Sequence, residues 1–247
     1  TSHCDDDEPP PTLRQWLAQA RFGLAISQGW GCEAQSLGAL LALRDALGSD
    51  SALRAALAGA RGASSGAKIA ALAALPHVPL DRAAEGLLRV RPVDIPCDKS
   101  DLVPPWRGGA LAGDAVVRAM RALWGARARA DDCAAPWAAS AFDVRACRSV
   151  VVARGDLAAA CQASGAFPLV FAPRRVAAAD LDDDEGRPLL SAADGDARDS
   201  GTAPPRDPEA PTRLLTDLAA LTDPAGVRAL RLAPAPSSAA PAPARVL

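Results

Sequence analysis

The chain has no asparagine and no tyrosine. The first absence excludes N-x-S/T glycosylation and a cysteine protease oriented by Asn; the second removes tyrosine as an acid or base. Histidine is nearly as scarce, since His3 and His77 are the only two, too few for a His-rich metal centre. The six cysteines (Cys4, Cys32, Cys97, Cys133, Cys147, Cys161) are scattered and form no C-x-x-C pair, which argues against zinc and for reduced thiols in a reducing compartment. Lysine occurs only at Lys68 and Lys99, and 27 basic against 29 acidic residues give a formal net charge of -2. No positive excess exists to track a phosphate backbone, so nucleic acid is not an expected partner. No apolar run reaches the roughly 20 residues of a membrane-spanning helix. Residues 16–26 come nearest, and Arg21 interrupts them.

What is present suits a packed protein. Of 247 residues, 49% are hydrophobic, and the mean hydropathy of +0.05 is too apolar for a disordered chain. Residues 1–21 read as a flexible lead-in and the start of the domain, 22–232 as the domain itself, and 233–247 as a flexible Ala/Pro-rich tail. Residues 22–27 form an apolar run that enters a loop with Gly29 and Gly31, the pattern of a buried strand and a tight turn. Leu37, Leu40, Leu41, Leu43 and Leu47 have helical spacing, stopped by Gly48. Residues 53–60 fit a helix running into a short strand, and 65–75 a small-residue helix ended by Pro76. The Pro-rich stretch 76–110 reads as irregular. Helices are expected over 113–124, 156–163 and 212–221, paired strands over 137–144 and 147–153, and a last strand over 227–232. Strands alternating with helices predict an α/β fold with a mainly parallel sheet.

Gly62-Ala63-Ser64-Ser65-Gly66 fits G-x-S-x-G with Ser64 in the nucleophile position. A nucleophilic serine of this type sits on a strained strand-to-helix turn, and the flanking glycines let the backbone pass close to its neighbours. The following helix turns its positive N-terminal end toward developing negative charge. A strand before the motif and a helix after it give the pentapeptide the required context. Ser65, off the centre, is expected to be replaceable. A Ser-Asp-His order needs a histidine late in the chain, and His77 is the last, so a histidine base is not expected.

At this point the chain resembles the patatin-like phospholipases, whose base is an aspartate. Three segments carry the likeness: Leu24-Ala25-Ile26-Ser27-Gln28-Gly29-Trp30-Gly31 with Leu37-Gly38-Ala39-Leu40, then Gly62 to Ala67, then Gly155-Asp156-Leu157 through Ala163-Ser164-Gly165-Ala166-Phe167-Pro168 to Phe171-Ala172-Pro173. The resemblance implies a three-layer α/β/α fold with a mainly parallel central sheet. It implies a lipid acyl hydrolase of the phospholipase or acylglycerol esterase type, acting through a Ser-Asp dyad and an acyl-enzyme. Ser64 would be the nucleophile and Asp194, in Asp194-Gly195-Asp196, the base; backbone amides of Gly29, Trp30 and Gly31 would form the oxyanion hole. No cofactor or metal is implied, and the partner is a lipid or acyl-ester substrate at a membrane or lipid surface.

The chain departs from the family where a basic residue and a glycine follow the glycine-rich loop, since it has Cys32 and Glu33 there. A carboxylate about 6 Å from an oxyanion costs up to about 3 kcal/mol at an effective dielectric near 20. Ser200 replaces an asparagine downstream of the aspartate. These departures support a second reading, a catalytically impaired lipid-binding or interaction module that keeps the fold.

Overall fold

The computed structural model describes residues 12–19, 21–27, 29, 31–88, 99–182, 212–216 and 245–246. Its elements are α1 (Leu13–Gln19), β1 (Phe22–Ile26), α2 (Glu33–Leu47), α3 (Asp50–Ala56), β2 (Leu57–Ala63), α4 (Ser65–Ala74), α5 (Leu80–Leu88), β3 (Gly109–Leu111), α6 (Asp114–Trp124), β4 (Trp137–Asp143), β5 (Arg148–Val152), α7 (Leu157–Ser164), β6 (Leu169–Phe171), β7 (Arg174–Ala177), β8 (Leu181–Asp182), β9 (Thr212–Thr216) and β10 (Arg245–Val246). The main sheet runs β10-β1-β2-β4-β5-β8, and β9 joins β4 to β7. Strands β10, β1, β2 and β4 are parallel. The outer strands β5, β8, β9 and β7 attach antiparallel. The fold is therefore α/β with a sheet that is parallel at its centre, as the alternating pattern predicts.

One row of register partners, Ile26, Gly62, Ala139, Val152 and Leu181, crosses five strands. Helix α4 lies on this face. Its alanines Ala67, Ala70, Ala71, Ala73 and Ala74 are fully buried. Small side chains let the helix approach the strands closely, and Ile69 and Leu72 of α4 share the core with Phe22, Leu24, Leu40, Leu53, Leu57 and Trp137. The Trp137 indole donates to the Ala67 carbonyl at 3.2 Å, which satisfies its buried N–H directly beneath the first turns of α4.

The stretch 76–110 is more regular than its prolines suggest, because it contains α5. Pro79 stands just before that helix, where a missing N–H is harmless, and its carbonyl accepts from Ala83 N–H. The Asp50 carboxylate accepts from Leu80 N–H at 3.0 Å. Buried Arg54 donates to the carbonyls of Pro76 and Val78, at 3.2 and 2.6 Å, and so fastens the connection between α4 and α5. Its burial pulls the guanidinium pKa down, partly offset by Asp50.

Residues 212–216 correct the helix expected over 212–221. They form β9, paired with Arg174–Ala177 on one side and with Phe142 and Asp143 on the other. Helical spacing of its leucines is outweighed by two neighbouring strands that each offer backbone partners, and Thr212 and Thr216 are β-branched. Residues 217–221, and the strand expected over 227–232, lie outside the described residues. At the two ends, α1 falls within the expected lead-in and buries Leu17. Arg245 and Val246, in the expected flexible tail, pair with Phe22 and Gly23 as the strand β10. Among the described residues no helix is long and apolar enough to cross a membrane.

Candidate active site

Strand β2 ends at Ala63, α4 begins at Ser65, and Ser64 makes the whole turn between them at φ 53° and ψ -123°. Such backbone geometry costs a non-glycine residue about 1–3 kcal/mol and persists only where the surroundings enforce it. The surroundings here are the two glycines of the pentapeptide. A Cβ at Gly62 would lie 2.3 Å from the Gly66 carbonyl oxygen and 2.4 Å from the Ala67 nitrogen. A Cβ at Gly66 would lie 2.5 Å from the carbonyl oxygens of Ile26 and Ser27. The spacing of the motif is thus a packing requirement: strand, turn, helix and the end of β1 approach too closely for side chains at either position.

A second constraint comes from the end of α7. Ser64 N–H donates to Ser164 Oγ at 2.8 Å, and the Ser164 hydroxyl donates to the Ser140 carbonyl at 2.6 Å. Ser164 is fully buried. It links the turn at Ser64 to the central strand β4 and fixes the direction in which α4 leaves the sheet.

The glycine-rich loop lies against the start of α4. Cys32 N–H donates to the Gly29 carbonyl at 3.0 Å, which closes a four-residue turn with Gly31 in the left-handed region at φ 79°. The Ser65 hydroxyl donates to the same carbonyl at 2.8 Å, and Gly29 N–H donates to Ser65 Oγ at 3.1 Å. This corrects one expectation. The Gly29 amide, expected to face an oxyanion, is committed to Ser65. Amides of the two central residues of a four-residue turn are not used by the turn's own hydrogen bond. Gly31 is one of these; Trp30, the other, lies outside the described residues.

The charge beside this loop is balanced. Glu33 opens α2, and its carboxylate pairs with Lys68 on α4 at 3.2 Å. Both side chains are partly exposed, so the pair adds little stability. Its consequence is electrostatic, because a neutralised carboxylate no longer imposes the full penalty of a bare one on a nearby oxyanion. Behind Lys68, burial pushes the Cys161 thiol pKa well up, with Lys68 opposing the shift.

The remaining candidates stand apart. Asp194 and Ser200 lie outside the described residues. His77 sits past the opposite end of α4 from Ser64, about 15 Å along a ten-residue helix, with Nε2 2.6 Å from the Trp124 carbonyl. A cavity of about 80 Å³, lined by Arg154, Asp156, Arg175 and Asp180 among others, lies at the N-terminal end of α7, away from Ser164 and the Ser64 turn. It is too small for a lipid ester, whose sites begin near 300 Å³. Three residues that the pattern of the sequence does not single out, Ser65, Ser164 and Lys68, hold the site together. Only Ser65 has a local signal, a hydroxyl at the first helical position beside the nucleophile candidate. No protein-family model matches the chain, and no curated protein matches its sequence.

Proposed function

We propose that the chain is a serine-dependent lipid acyl hydrolase of the patatin-like type. The observation that carries this reading is the backbone of Ser64, held at positive φ between β2 and α4 by glycine contacts at both flanks. Strain at a single serine on a strand-to-helix turn has a natural use in presenting a nucleophile. In this mechanism Ser64 attacks the ester carbonyl and Asp194 accepts its proton. The amides of Trp30 and Gly31 and the N-terminal end of α4 stabilise the oxyanion. Asp194 then protonates the departing alcohol or lysolipid, and water, deprotonated by the same carboxylate, releases the acyl group from Ser64. The impaired-module reading loses its electrostatic part with the Glu33–Lys68 pair, and keeps the departures at Cys32 and Ser200.

The test is reaction with a fluorophosphonate probe and hydrolysis of a short acyl ester. The wild-type chain should label and turn over. Ser64→Ala should abolish labelling and lower turnover by about three orders of magnitude or more, and Asp194→Ala should lower turnover severely. His77→Ala and added chelator should leave the rate unchanged. Undiminished hydrolysis by Ser64→Ala would end the proposal. A well-folded wild-type chain that neither labels nor hydrolyses would favour the interaction module.

A further inference from the structure

We propose that Ser65 is a positioning residue, whose hydroxyl locks the glycine-rich loop to the nucleophile turn so that the Gly31 amide stays aimed at the reacting carbonyl. This rests on the hydrolase reading of Ser64. Ser65 Oγ bonds both polar groups of one residue, donating to the Gly29 carbonyl at 2.8 Å and accepting from the Gly29 amide at 3.1 Å. Two bonds to one residue restrain the peptide planes on either side of it. The carbonyl also holds the turn bond from Cys32 at 3.0 Å, so Gly29 is fixed by three hydrogen bonds. Ser65 is buried and is the first residue of α4, directly after Ser64. The approach of Gly66 to the Ile26 and Ser27 carbonyls seats the base of the loop on the same turn of helix. Loop and nucleophile therefore share one rigid support, and among the described residues it is the Ser65 side chain of the pentapeptide that bridges them by hydrogen bonds.

A displacement of about 1 Å at such a site costs on the order of a hundredfold in rate. Ser65→Ala removes both bonds and leaves the Gly29 amide to find another partner. Ser65→Thr keeps the hydroxyl. The experiment compares both variants with wild type in hydrolysis of a p-nitrophenyl butyrate substrate, with rates expressed per active site by fluorophosphonate titration so that unfolded molecules do not count. Hydrogen exchange of the peptide spanning residues 27–33 is followed in parallel.

Against the expectation from the motif that Ser65 is replaceable, its two bonds to Gly29 mean that Ser65→Ala should lower kcat by roughly ten- to a hundredfold with little change in KM. Its fluorophosphonate labelling rate should fall by a similar factor, because that reaction develops the same oxyanion. The loop peptide should exchange faster, and Ser65→Thr should restore most of both properties. An unchanged per-site kcat in Ser65→Ala, or unchanged loop exchange, overturns the proposal; so does a Thr variant that folds and performs no better than Ala. Failure of the two readings can be told apart. An active wild type with a dead Ser64→Ala and an unaffected Ser65→Ala removes only the role of Ser65. A wild type that neither labels nor hydrolyses removes the reading of Ser64 and the catalytic part of Ser65 with it.

Discussion

Helices α4 and α6 begin in opposite ways. The first amides of α6 face a buried carboxylate: Asp101 accepts from Gly113, Asp114 and Ala115 at 3.2, 2.8 and 3.1 Å. Helix α7 follows the same rule on a smaller scale, with Asp156 at its N-cap accepting from Ala159 at 2.9 Å. At α4 the N-cap is Ser64, which makes no side-chain cap bond, has positive φ, and is followed by no acidic residue in the first turn. A missing cap costs about 1 kcal/mol, and the strained backbone about 1–3 kcal/mol more. The difference teaches where the fold places its electrostatics. The positive ends of α6 and α7 face carboxylates of the protein, whereas α4 has neither a side-chain cap nor an acidic residue in its first turn.

The largest effect should come from attacking the support of the strained turn. Gly62→Ala and Gly66→Ala each push a methyl group against backbone that cannot move as a side chain would. Each should destabilise the chain by about 3 kcal/mol or more, measured as a shift of the chemical denaturation midpoint. A control at exposed Gly38, where a Cβ meets nothing within 4 Å, should be neutral or slightly stabilising because the position is helical. If Gly62→Ala or Gly66→Ala behaves like the Gly38 control, the close approach that defines the turn is wrong.

These local contacts explain why the turn was readable in the sequence. Strand, nucleophile, glycines and helix all lie within one short segment, and Gly62 is required by its own neighbours Gly66 and Ala67, although Gly66 is required by the distant carbonyls of Ile26 and Ser27. The bonds that orient the turn were not readable. Gly29 and Ser65 are 36 positions apart, and Ser64 and Ser164 are 100 apart, with no pattern to pair them. Glu33 looked like a bare charge because Lys68 lies 35 residues away on a different helix. The outer strand β9 was misread for a related reason. Its own spacing suits a helix, and only the flanking β4 and β7 decide otherwise. Helix α5 was hidden by prolines that, in the folded chain, mark where it starts rather than forbid it.

A middle-sized effect should sharpen the contrast from the capped side. Asp101→Ala leaves three amides at the start of α6 without their carboxylate, and two of these bonds are in buried surroundings. Hydrogen bonds to a charged group are worth more than neutral ones, so a loss of about 2–3 kcal/mol is expected. Asp101→Asn retains an acceptor oxygen and should lose less. Thermal melting of wild type, Asn and Ala orders them. An Asn variant that melts with the wild type would mean that the Asp101 charge contributes nothing beyond its hydrogen bonds, and one that melts with Ala that the remaining acceptor contributes nothing.

The smallest effect is the most discriminating, because its sign is opposite at the two kinds of helix start. Replacing the N-cap of α7 in Asp156→Ala should destabilise by about 1 kcal/mol, the ordinary cost of losing a cap. Replacing the N-cap of α4 in Ser64→Gly should stabilise. Glycine adopts φ 53° without a Cβ clash, which releases strain of about 1–3 kcal/mol. The greater freedom of glycine in the unfolded chain offsets roughly 0.5–1 kcal/mol of that gain. The net is a gain of between about zero and 2.5 kcal/mol, with hydrolysis abolished in the same variant. Ser64→Ala retains the Cβ and should gain nothing in stability, so the two variants separate relief of backbone strain from loss of the hydroxyl. If Ser64→Gly melts below wild type, the turn is not held against a conformational preference, and the argument that its strain serves a nucleophile fails with it.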